Sequence, residues 1–193
     1  MSLTMEREIP IVEIPIHGVG PYDLVIAQGF HGPYHRRDPS PMRLDYAVDL
    51  ATPIGSIVVA AREGVVAGLL MGSDVFCDHW DLTPDEITKI TRFTANWILV
   101  DHGDMQSLYS HLRKGGAFVH EGQRVSARQP IGITDDTGWT PFHHLHFHLH
   151  RWVPPAQRRG AGRNETIPFR FRGYDGPMEN EEIPTSISNF AIH

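Results

Sequence analysis

The chain predicts an all-β protein, an antiparallel open barrel or sandwich with one short decorating helix. Short runs rich in Val, Ile and other β-branched residues recur along most of its 193 residues, with Gly and Pro between them. Only residues 83–93 carry a helical pattern with a start signal. Within the histidine-rich run at 141–150, residues 144–150 alternate polar and apolar with a period of two.

In order, residues 11–16 and 22–26 are the first candidate strands, and 31–42, rich in Pro, Arg and His, reads as a loop. Strands are then expected at 45–50, 56–61, 64–70, 96–101, 106–110, 124–125 and 145–153. In the helical patch Thr83 can cap, Pro84 sits in the first turn, Glu86 lies three residues after the cap, and Ile87 and Ile90 share a face. After Pro154 the chain turns Arg-, Gly- and Pro-rich around one apolar run at 167–171. The expected organisation is N-terminal strands over 1–27 packed on a main domain of 28–153, with a tail over 154–193 wrapped on it.

Bulk properties exclude several function classes. A formal net charge of −6 offers no general basic field for nucleic acid or anionic lipid, and Arg36-Arg37 and Arg158-Arg159 read as solvated faces. The single cysteine, Cys77, leaves no internal disulfide and no cysteine-based zinc site. No run approaches the roughly 18 apolar residues of a membrane span. Residues 1–10 are polar and acidic, so no secretory signal is visible.

The chemistry concentrates at Pro141-Phe142-His143-His144-Leu145-His146-Phe147-His148-Leu149-His150, which holds five of the thirteen histidines. On a strand, His144 and His146 project together while Leu145, Phe147 and Leu149 pack on the other face. Two parallel imidazoles on a rigid strand suit a metal, a proton relay, or one of each. His148 and His150 share their parity but are expected beyond the site, and His143 faces the other way. His17, His79, His102 and His120 are given no role.

Three segments stand in series: Asp45-Tyr46-Ala47-Val48-Asp49-Leu50-Ala51-Thr52-Pro53-Ile54-Gly55, then Tyr109-Ser110-His111-Leu112, then His144-Leu145-His146-Phe147. In this order they resemble the lysostaphin-type, LytM-like and β-lytic zinc metallopeptidases, over roughly residues 28–149. The resemblance implies a duplicated hybrid motif fold and a zinc-dependent endopeptidase acting on peptide cross-links of bacterial cell-wall peptidoglycan. It implies one Zn²⁺ per chain and a periplasmic or extracellular setting. Asp49 and His146 match family ligands, and His111 and His144 match the two catalytic histidines that are not ligands.

A catalytic zinc commonly takes two His and one carboxylate and keeps a position for water. The usual family pattern places a histidine four residues before Asp49, where this chain has Asp45. One branch carries that histidine further upstream, after a run like Gln28-Gly29-Phe30-His31-Gly32-Pro33, which here leads to His35. His35 is the favoured third ligand; Asp45 and His31 are the alternatives. The missing histidine also motivates a second reading, a non-catalytic member that binds peptidoglycan or a partner amidase. A third is a metal enzyme acting on another substrate class.

Overall fold

The computed structural model describes residues 8–37, 43–79, 83, 85–86, 94–153 and 163–179. The elements run β1 (Ile11–Val12), β2 (Ile26–Gln28), α1 (Pro33–Arg37), β3 (Ala47–Ala51), β4 (Ile57–Val59), β5 (Gly64–Leu70) and β6 (Phe76–Cys77). They continue with β7 (Trp97–Asp101), β8 (Gln106–Ser110), β9 (Arg124–Val125), β10 (Pro130–Ile133), β11 (Gly138–Trp139), β12 (His144–Val153), β13 (Arg163–Thr166) and β14 (Arg170–Phe171). The architecture is all-β. The central antiparallel sheet has the order β2-β3-β12-β8-β7-β5-β9, with β13 pairing the far end of β12.

β12 forms the middle of this sheet because its alternation suits burial on both faces. Leu145, Phe147 and Leu149 are fully buried, each worth about 1.5–3 kcal/mol of apolar burial. Phe147 meets Tyr109, Phe169 and Phe171 with ring centroids 5.2 to 5.8 Å apart. The apolar run at 167–171 therefore closes the core beneath the sheet, and β14 pairs in parallel with β1. The opposite face of β12 carries the histidines.

Two departures from the expected elements bear on the N-terminal side of the site. The proposed loop at 31–42 contains α1, which opens on Pro33, whose fixed φ suits a first helical position. The candidate strand at 22–26 begins only at Ile26, because the turn that follows Pro21 is closed by Asp23 N–H donating to Gly20 O at 3.1 Å. Of the helix expected over 83–93, only Thr83, Asp85 and Glu86 are described. There the capping pair is made: Thr83 N–H donates to Glu86 Oε2 at 2.9 Å, and Glu86 N–H to Thr83 Oγ1 at 3.4 Å. No helix among the described residues is long and apolar enough to cross a membrane.

Candidate metal centre

Strand register builds the centre. Asp49 of β3 lies directly opposite His146 of β12, and Ser110 of β8 lies opposite His146 on its other side. Directly opposed residues hold their Cβ atoms about 4.5–5.5 Å apart, so Asp49 and His146 are neighbours by register alone. His144 sits one pleat along, opposite Ala51. His146 Nδ1 is 2.9 Å from Asp49 Oδ1, and His144 Nε2 is 3.5 Å from the same oxygen.

Gln28 and His35 arrive from the N-terminal side. A bulge in β2 between Ile26 and Gln28 shifts the register, so that Gln28 faces Asp49 on the histidine face. Gln28 Nε2–H donates to Asp49 Oδ2 at 2.7 Å, while its Oε1 accepts the Tyr34 amide at 3.0 Å. One side chain thus holds the carboxylate and the first turn of α1. Gly32 is required there, because a Cβ would lie 2.3 Å from Gln28 Cγ. α1 then brings His35 Nε2 to 3.2 Å from Asp49 Oδ1. Ligand atoms of His35, Asp49 and His146, all buried, lie within 4.8 Å of one another.

The alternatives for the third donor lie elsewhere. Asp45 is paired with Arg43 at 3.0 Å, and its backbone carbonyl accepts the His31 amide. The His31 ring packs edge-on against Tyr46. Neither belongs to the His35–Asp49–His146 group.

His111 follows β8, and simple alternation would turn it toward the face that carries Tyr109. Its φ of 65° is left-handed, rare for a residue with a side chain, and this reverses its direction. The ring comes to 4.6 Å from His144 and 6.1 Å from His146, centroid to centroid. His111 Nδ1–H donates to Thr137 O and His144 Nδ1–H to Phe142 O, both at 2.7 Å. Since carbonyls only accept, each neutral ring keeps its lone pair on Nε2.

Electrostatics agree with this protonation. Burial lowers His111 well below the ordinary imidazole range, helped by repulsion from His144 and His146. Burial also lowers His144, against the attraction of Asp49. For Asp49, burial pushes upward, but His35 and His144 and the hydrogen bonds from His146 and His35 outweigh it, leaving the carboxyl well below its usual value. An ionised carboxylate thus shares the site with His111 and His144, whose neutral forms burial favours.

Sequence reasoning missed Gln28, although it had singled out the run that contains it. It also placed His148 beyond the site, whereas His148 Nδ1 lies 3.1 Å from His146 Nε2. The i+2 parity from His146 was the available signal. Tyr109, of the Tyr109-Ser110-His111-Leu112 motif, packs in the core: it is fully buried and its hydroxyl accepts the Ala61 amide at 2.8 Å. His102 has a structural partner, its Nδ1–H donating to Glu63 O.

A buried carboxylate ringed by histidines on a β-sheet is a site of the metallohydrolase kind. Residues 43–159 match the model of peptidase family M23, and the chain belongs to that family. Asp49, His111, His144 and His146 lie within the matched span; Gln28 and His35 precede it. The peptidoglycan DD-endopeptidase ShyA of Vibrio cholerae is 30% identical over 102 residues, covering 52% of this chain and 19% of that protein. A zinc-containing peptidase from Vibrio cholerae is 23% identical with a TM-score of 0.48, covering 73% of this chain and 37% of that one. Lysostaphin from Staphylococcus simulans is 25% identical with a TM-score of 0.41, covering 54% of this chain and 36% of that one.

Proposed function

We propose that this chain is a zinc-dependent endopeptidase, with His35, Asp49 and His146 as ligands and peptide cross-links of peptidoglycan as substrate. The observation that carries it is the crowding of one oxygen. His35 Nε2, His146 Nδ1 and His144 Nε2 lie 3.2, 2.9 and 3.5 Å from Asp49 Oδ1. A carboxylate oxygen has two lone pairs, and His144 presents an acceptor rather than a donor, so hydrogen bonding alone does not satisfy the cluster. Two imidazoles and one carboxylate are a common donor set for catalytic zinc, and they fit here. His35 as the third donor would remove the reason for a non-catalytic member that the absent histidine at position 45 supplied. The substrate class follows the relative ShyA, of which this chain spans only 19%.

When bound, zinc supplies a Lewis acid that polarises the scissile carbonyl and acidifies water. The chain's own residues handle the proton. His111 and His144, neutral with free Nε2 lone pairs, accept it from the attacking water and return it to the leaving amine. The Thr137 and Phe142 carbonyls hold both rings in that tautomer throughout. Asp49 stays ionised, braced by Gln28.

The test is metal analysis combined with mass spectrometry of fragments released from cross-linked peptidoglycan. One zinc per chain and cleaved amide bonds are expected. His146→Ala should lose the metal, whereas His111→Ala should keep it and lose turnover by about 10²–10⁴-fold. Undiminished hydrolysis in both His111→Ala and His144→Ala would sink the mechanism. Ester or glycosidic products would reject the substrate bond.

A further inference from the structure

The polar face of β12 continues past Asp49. His148 and His150, 1% and 3% exposed, extend it at two and four residues beyond His146. Buried imidazoles are costly where apolar residues would pack, so their hydrogen bonds bear on what they do. Those bonds have a direction, and each is read from its own partners.

Gln106 lies opposite His150 in register and presents its Oε1 at 3.1 Å from His150 Nε2. A carbonyl oxygen only accepts, so His150 carries its proton on Nε2 and leaves Nδ1 as a lone pair. His150 Nδ1 and His148 Nε2 are both buried with no hydrogen-bond partner among the described residues, on rings 5.3 Å apart. No bond therefore joins them, and the tautomer of His148 is read from its other side, where His148 Nδ1 lies 3.1 Å from His146 Nε2. With His146 a zinc ligand through Nδ1, its proton sits on Nε2 and His148 Nδ1 accepts it. A metal ion would there take the place of the proton that His146 Nδ1 shares with Asp49 Oδ1 at 2.9 Å.

We infer that His148 is a positioning residue of the metal centre. It holds His146 in the tautomer whose Nδ1 can ligate. The histidine ladder is two separate directed bonds, His146 Nε2–H to His148 Nδ1 and His150 Nε2–H to Gln106 Oε1. The inference rests on the zinc reading above and adds residues that reading does not need.

The experiment measures zinc affinity of the full chain by competition with a chromophoric chelator, in the wild type, H148L and H148N. Leucine removes the acceptor, while asparagine places its Oδ1 near the former Nδ1. H148L should bind zinc about 10–100-fold more weakly, and H148N should recover to within about threefold of the wild type, as for other groups that orient metal-bound histidines. Imidazole nitrogen-15 spectra of the zinc-loaded wild type should show His148 and His150 both protonated on Nε2. Equal zinc affinity in H148L and the wild type, or His148 protonated on Nδ1, would overturn the ladder alone. A wild type that takes up no zinc overturns the metal-centre reading, and the ladder with it. If H148L does not fold, H148N and the nitrogen-15 spectrum still decide.

Discussion

His150 sits at the end of the histidine face, and burial brings its pKa down from the ordinary imidazole value to about 4. In the unfolded chain the same ring titrates near 6.5. The folded state therefore binds fewer protons than the unfolded state throughout the window between these values. Stability from the neutral ring is fully present above about pH 6.5 and is lost as pH falls toward about 4. At about 1.4 kcal/mol per pH unit the whole window is worth about 3 kcal/mol, of which about 2 kcal/mol is lost by about pH 5. His111, His144 and His148 are lowered by burial as well, so the wild type should lose more than this. His150→Gln isolates one ring and keeps a donor for Gln106. Urea unfolding at about pH 7.5 and about pH 5, with a chelator present so that metal release does not contribute, should show a smaller acid loss in the variant. The difference of about 2 kcal/mol corresponds to about 1 M urea for a slope of about 2 kcal/mol/M. Identical pH dependence in the two proteins would refute the assignment of that proton uptake to His150.

Two further substitutions probe the frame of the site. Gly138 has a φ of 90°, and a Cβ there would lie 2.7 Å from the Ala95 Cβ. Gly138→Ala should cost about 2–4 kcal/mol from left-handed strain and overpacking. It should also lower turnover, because the preceding Thr137 carbonyl holds His111; thermal melts and kinetics check both. Tyr109→Phe should cost about 1–3 kcal/mol, since it strands the buried Ala61 amide, while zinc content measured by atomic absorption stays at the wild-type level.

Much of the site was legible because strand alternation is a local property. The period of two at 144–150 separates histidines from Leu145, Phe147 and Leu149, and the three motifs mark Asp49, His111, His144 and His146 without coordinates. The contribution of His35 was less legible, since it depends on how a Pro- and Arg-rich segment folds back over 14 residues. Gln28 was missed because regular pairing after Ile26 would put it on the core face, and only the bulge moves it opposite Asp49. The direction of His111 was equally hidden, because a left-handed backbone overrides alternation.

The sequence by itself determined an all-β chain, the two-faced character of its central strand, and its peptidase motifs, because short-range periodicity and residue chemistry carry that information. Only the tertiary structure decided which histidine joins Asp49 and His146, which residues brace them, and that Phe169 and Phe171 seal the core beneath. Those outcomes depend on register, one bulge and one left-handed residue. Each is set by packing between segments far apart in the chain, where local pattern has no reach.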